Sequence, residues 1–114
     1  MQSFEYIEIK PSIYLMKIDG NLQGGNQAME FSETLIDLIN QKPKALLIDL
    51  SGIQIINSSG IGMIVNGFNT FKQNGSDFLL INLHEKVKKL LEITHLDQVF
   101  KIFKNLDEAL NEYK

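Results

Sequence analysis

The segment Ala45-Leu46-Leu47-Ile48-Asp49-Leu50 constrains this chain more than any other. A strand with apolar residues at consecutive positions has no solvent-facing side, so both faces of its sheet must be covered. A second such run, Phe78-Leu79-Leu80-Ile81, follows it. Between the two, Ile61, Ile64, Val65, Phe68 and Phe71 recur at helical spacing, from Asn57 to a stop at Asn74-Gly75. Buried strand, helix, buried strand is the pattern of a parallel sheet with crossover helices.

The flanking segments complete the order. Phe4 to Ile9 alternates apolar and polar residues, Lys10-Pro11-Ser12 breaks the run, and Ile13 to Ile18 starts another strand. So short a break predicts an antiparallel hairpin at a sheet edge. Gly20, Gly24 and Gly25 mark a loop. Asn26 to Gln41 reads as an amphipathic helix, with Ala28, Phe31, Leu35, Leu38 and Ile39 inward, Ile36 on the fringe, and Pro43 ending it. Val87, Leu90, Leu91 and Thr94 give a third helix, and Val99 to Phe103 a short last strand. Leu106, Ala109, Leu110 and Tyr113 give a fourth helix, with Asp107 and Glu108 in the first turn, where the helix dipole favours acids. The expected fold is α/β: an N-terminal antiparallel hairpin joined to a mostly parallel sheet with about four helices packed on it. At 114 residues the chain has the length of one domain, 1–114.

Composition removes several chemistries. With no cysteine there is no disulfide, thiolate nucleophile or cysteine-ligated zinc. His84 and His95 read as surface or boundary residues, so no metal site is expected. The net charge is -3 and every basic residue is lysine, which argues against nucleic acid as a partner. No apolar run approaches the ~20 residues of a membrane span, and the N-terminal region is acidic where a signal peptide needs cations. A cytoplasmic protein with no membrane partner is expected. Neither a G-x-S-x-G elbow nor a phosphate-cradling glycine motif is present. No catalytic residue and no cofactor are therefore assigned, and the chain does not read as an enzyme.

The informative stretch runs from Asp49 through Ser51-Gly52 to Asn57-Ser58-Ser59-Gly60-Ile61-Gly62. It leaves a buried strand and enters a helix through residues suited to capping, Asn57 and Ser58 among them. On residue chemistry this is either a capped helix start alone or a helix N-terminus that tolerates a phosphate on serine. Opposite the apolar stripe of that helix lie Ser59, Met63, Asn66, Gly67 and Thr70, without a charge. They form either an ordinary neutral face or a docking surface around an exposed methionine.

These residues resemble the STAS domain (sulfate transporter and anti-sigma-factor antagonist), in particular the stand-alone bacterial anti-anti-sigma factors. The resemblance spans Gly20-Asn21-Leu22, then Leu47-Ile48-Asp49-Leu50-Ser51-Gly52, then Ser58-Ser59-Gly60-Ile61-Gly62. It continues through Gly75 and Val87-Lys88-Lys89-Leu90-Leu91 to Leu96 and Phe100. It implies an anti-sigma-factor antagonist, with Ser58 the phosphoacceptor and Ser59 the second choice. The implied partners are an anti-sigma serine kinase, bound by the unphosphorylated form, and a resetting phosphatase of the PP2C type. ATP would belong to the kinase. The implied binding surface joins the loop at Gln23, Gly24 and Asn26 to the turn Asn57, Ser58, Ser59 and Gly60. It continues along the second helix at Gly62, Met63, Asn66 and Gly67. The alternative is an unswitched STAS scaffold or adaptor subunit of a signalling or transport complex. Two amides depart from the family pattern, Asn57 and Gln23, where acids are usual. Asn57 is expected to cap as well as aspartate would, with less negative charge beside Ser58.

Overall fold

The computed structural model describes residues 4–114. Five strands form one sheet in sequential order: β1 (Tyr6–Lys10), β2 (Ile13–Leu22), β3 (Ala45–Ile56), β4 (Asp77–Ile81) and β5 (Lys101–Phe103). The β1–β2 pair is antiparallel, and the other three pairings are parallel. The edge hairpin and the parallel sheet are thus as the residue pattern predicts. Four helices connect or follow the strands: α1 (Asn26–Ile39), α2 (Ser58–Gln73), α3 (Glu85–Ile93) and α4 (Leu106–Leu110).

The apolar runs sort by alternation onto two faces. Leu46, Ile48, Leu50, Phe78 and Leu80 join the larger core, with Phe31, Leu35 and Leu38 of α1, Ile61, Ile64 and Phe71 of α2, and Val87 and Leu91 of α3. Ala45, Leu47, Leu79 and Ile81 face the other way, with Ile13 and Ala109 of α4. Each strand position therefore buries a side chain, which is why the runs carry almost no polar residue. Asp49, the exception, faces the smaller core half-buried; its carboxylate accepts hydrogen bonds from the Ser51 amide (2.9 Å) and Asn82 Nδ2 (3.1 Å).

Four details differ from the sequence reading. β3 runs six residues past Leu50, to Ile56, because β2 continues alongside it to Leu22. Gly20 accordingly lies inside β2, at φ 84°, rather than in a loop. Val99 sits in the turn after a 3-10 segment at Leu96–Gln98 and is exposed, since pairing with β4 begins only at Lys101. Ala28, Ile36 and Thr94 are also exposed, so the buried arcs of α1 and α3 are narrower than expected.

α1 and α2 approach closely at Gly67. A Cβ there would lie 2.8 Å from Leu35 Cδ1 and 3.1 Å from Phe78 Cε2. Gly67→Val should therefore lower unfolding stability by ~1–3 kcal/mol through overpacking. Gly67→Ala should lose less, since alanine regains up to ~1 kcal/mol of helix propensity. Urea titrations of both variants measure the difference.

On the opposite face, the Tyr113 hydroxyl donates to Asp77 Oδ2 at 2.6 Å. Burial first, and that hydrogen bond second, hold the hydroxyl pKa above the ordinary tyrosine value. An unfolded chain loses this proton near pH ~10. Above that pH the folded state holds the extra proton, and stability falls as pH rises. Tyr113→Phe, with no proton to lose, should flatten the alkaline limb of the stability curve in urea titrations run at successive pH values.

Candidate functional site

The site forms where β2 and β3 end together. Their last pair is Leu22↔Ile56, so the chain segments leaving the two strands start side by side. One becomes the Gln23–Gly25 loop into α1, the other the Asn57 turn into α2. Gly24 and Gly25 have φ of 89° and 65°, a conformation that favours glycine and lets the loop fold back over the strand ends.

Asn57 is the N-cap of α2, in extended geometry, and its Oδ1 accepts from the Gly60 amide at 2.8 Å. The same carboxamide turns its other end outward, and Nδ2 donates to the Gln23 carbonyl at 3.3 Å. The Asn57 amide donates to the Leu22 carbonyl, also at 3.3 Å. One residue thereby caps the helix and fastens the neighbouring loop to it. Gln27 secures the loop from its other side. Its Oε1 accepts from the Gln23 amide at 2.9 Å, and its Nε2 donates to the Asn21 carbonyl at 2.7 Å. Nothing in the sequence distinguishes Gln27 from any polar residue in a first helical turn.

Two close contacts complete the junction. Gly60 is buried against the Leu22 carbonyl so tightly that a Cβ would overlap it. Gly24 lies over Ser59, where a Cβ on the glycine would come within 2.7 Å of Ser59 Cβ. Gln23, Asn26, Asn57, Ser58, Ser59 and Asn66 are exposed, and Gly62 is half-buried with open space above it. The loop and helix residues predicted to act together are therefore brought together.

Met63 and Gly67 are not part of that surface. Met63 is 4% exposed and Gly67 is buried, because α1 packs on the flank of α2 and widens its buried arc. They line the crevice between the two helices with Phe31 and Leu35. Gly60 is likewise buried and contributes through the close approach it permits, not through exposure. The accessible face is Ser58, Ser59, Gly62 and Asn66, continued by Gln23 and Asn26, all uncharged.

The cap uses the Gly60 amide, and the Ile61 amide bonds the Asn57 carbonyl at 2.9 Å. Among the described residues, no protein acceptor faces the amides of Ser58 and Ser59. These donors and the helix dipole give the surface a partial positive character without any cationic side chain. Among the described residues no group of three or more His, Cys, Asp or Glu converges on a metal site, and no helix is long and apolar enough to cross a membrane. His84 instead caps α3, its Nδ1 accepting from the Lys86 amide at 3.3 Å.

The family model for the STAS domain matches residues 6–109, and the chain belongs to that family. A Thermotoga maritima protein named among the anti-sigma factor antagonists is 31% identical over 78 residues, which are 68% of this chain and 69% of that protein. A crystal structure from Thermotoga maritima of the same description superposes with a TM-score of 0.84 at 28% identity, covering 96% of this chain and 92% of the other. The Bacillus cell fate determinant SpoIIAA in its phosphorylated form superposes with a TM-score of 0.75, covering 98% of this chain and 100% of that one. At 13% identity this last likeness is one of fold.

The two-ended use of Asn57 revises the expectation that aspartate would serve equally. A carboxylate keeps the cap and gains ~0.3–1 kcal/mol from the helix dipole. It also faces the Gln23 carbonyl with an acceptor, losing a hydrogen bond worth ~0.5–1.5 kcal/mol. Asn57→Asp should therefore melt close to wild type while the Gln23–Gly25 loop, released at the Gln23 carbonyl, becomes more mobile, as read by NMR relaxation of its amides. Gly60→Ala should instead cost ~1–3 kcal/mol or more in global stability, because the carbonyl it meets belongs to the sheet backbone.

Proposed function

We propose that this protein is an anti-sigma-factor antagonist of the cytoplasm that binds an anti-sigma serine kinase while Ser58 is unphosphorylated. The observation that carries the reading is the placement of Ser58. It is the exposed first residue of α2, beside unsatisfied helix amides, on a surface without charge. The names of the relatives and the phosphorylated state of the SpoIIAA neighbour support it.

In this reading the kinase docks on the Gln23–Asn26 loop, Ser58, Ser59, Gly62 and Asn66. The γ-phosphoryl group of kinase-bound ATP passes to Ser58 Oγ as the hydroxyl gives up its proton, and ADP stays with the kinase. Ser58 is preferred to Ser59 because Gly24 lies against the Ser59 Cβ. The phosphate adds about −1.5 to −2 charges. The helix end tolerates that charge locally, but a partner matched to a neutral surface does not. A loss of ~2 kcal/mol weakens binding roughly thirtyfold. A phosphatase of the PP2C type resets the switch, and this chain supplies no catalytic group.

A neutral Asn57 favours one other reading, an unswitched scaffold or adaptor, since no carboxylate marks the serine for a kinase. The experiment incubates the purified protein with anti-sigma kinases of its own organism and Mg-ATP. Intact mass then reports phosphoryl transfer, and pull-downs use Ser58→Ala and Ser58→Asp baits. The switch predicts one added phosphoryl group, absent from Ser58→Ala, and a kinase retained by the alanine bait and lost by the aspartate bait. Equal retention by both baits with no mass gain supports the scaffold.

A further inference from the structure

A second surface lies on the other side of β3, away from the Gln23 loop. The β3–β4 register ends at Asp49↔Ile81, whereas the β2–β3 register continues to Leu22↔Ile56. From Gly52 to Ile56, β3 is therefore paired along one edge only. Its other edge borders α3 across a groove of about 420 Å³. Ile53 and Leu90 form the floor, and two large apolar side chains stand exposed at the walls, Ile55 at 51% and Ile93 at 70%. Among the described residues, the charged groups lining it are Lys86 and Lys89. A chain of net charge -3 thus presents a local apolar cleft with a cationic rim.

We infer that this groove binds an extended acidic peptide segment of a protein partner, added as a strand to the free edge of β3. Each property of the cleft selects for that occupant. The Ser51 amide is already held by the Asp49 carboxylate, but the backbone groups of residues 52–56 that face away from β2 are open to another backbone, the main-chain term in strand addition. Alternate aliphatic side chains of such a strand reach the isoleucine walls, since successive side chains point to opposite faces. Flanking carboxylates meet Lys86 and Lys89. An acyl chain would cover the isoleucines but leave the strand edge unpaired. A second copy docking through the same face would bring like-charged lysines together. The inference does not rest on phosphorylation of Ser58, because the groove contains neither serine.

The test uses the full chain and a fluorescein-labelled synthetic heptapeptide of alternating leucine and glutamate. The controls are the same peptide with lysine for glutamate, and dodecanoate. The expected result is saturable anisotropy for the acidic peptide, with slowed exchange of the amides in residues 52–56 that face away from β2. Binding should weaken about tenfold or more in Ile55→Asp and in Lys86→Glu/Lys89→Glu, and by less than twofold in Ser58→Asp. Lys86 and Lys89 are exposed, so their reversal tests charge without disturbing the core, and thermal melts confirm folding of each variant. The inference is overturned by the absence of saturable binding, or by equal binding of the lysine peptide. It fails equally if affinity is unchanged in the groove variants. Dodecanoate binding without peptide protection would make the groove a lipid site, and concentration-dependent dimerisation blocked by Ile55→Asp would make it a self-association surface. Either result replaces the peptide. A kinase switch at Ser58 that persists through any of these outcomes shows that the two surfaces stand or fall separately.

Discussion

Everything in this domain depends on the demand of β3 to be covered on both faces. Its inward positions alternate between two cores, so no arrangement with helices on a single side satisfies it. Three helices cover one face and α4 with the C-terminal turn covers the other. The heavier side sets the positions of α1 and α2, and their close approach at Gly67 sets how far α2 stands from the sheet. From that spacing follows the position of the α2 N-terminus beside the end of β2.

The junction there is held by backbone proximity more than by side-chain chemistry. Gly60 admits the Leu22 carbonyl, Gly24 admits Ser59, and the Asn57 carboxamide bridges the two segments with one acceptor and one donor. Such a surface is preorganised, because its loop is tied at Gln23 by both Asn57 and Gln27. A partner binding it has little left to order, which keeps the entropic cost of association low. A charge added at Ser58 would be flanked on the accessible face by uncharged residues, Gln23, Asn26, Ser59, Gly62 and Asn66.

Much of this architecture was legible in the residues. Ala45–Leu50 and Phe78–Ile81 announced buried strands, and the glycine and proline stops divided the helices. Legibility failed where a neighbour distant in sequence decided the outcome. Ser51-Gly52 looks like the end of a strand, and only the continuation of β2 beside it keeps β3 extended to Ile56. Met63 and Gly67 fall on the outer face of an isolated helix, and only the presence of α1 makes that face interior. The cap at Asn57 was readable from its position before a helix. Its second hydrogen bond was not, because the Gln23 carbonyl stands 34 positions earlier.

The division of the sheet into a heavily and a lightly covered face also has a temporal meaning. Residues Leu106–Tyr113 follow all five strands in chain order, and they carry Ala109, Leu106, Leu110 and Tyr113 onto Ile13, Ala45, Leu47, Leu79 and Ile81. As the chain leaves the ribosome, strands and the first three helices emerge with one apolar sheet face still bare. Until the segment from Leu106 follows, the nascent domain is a sticky half-sandwich, exposed to chaperones and to other nascent chains. The interval between emergence of β5 and of α4 is short in residues, and a short interval is what keeps that exposure brief.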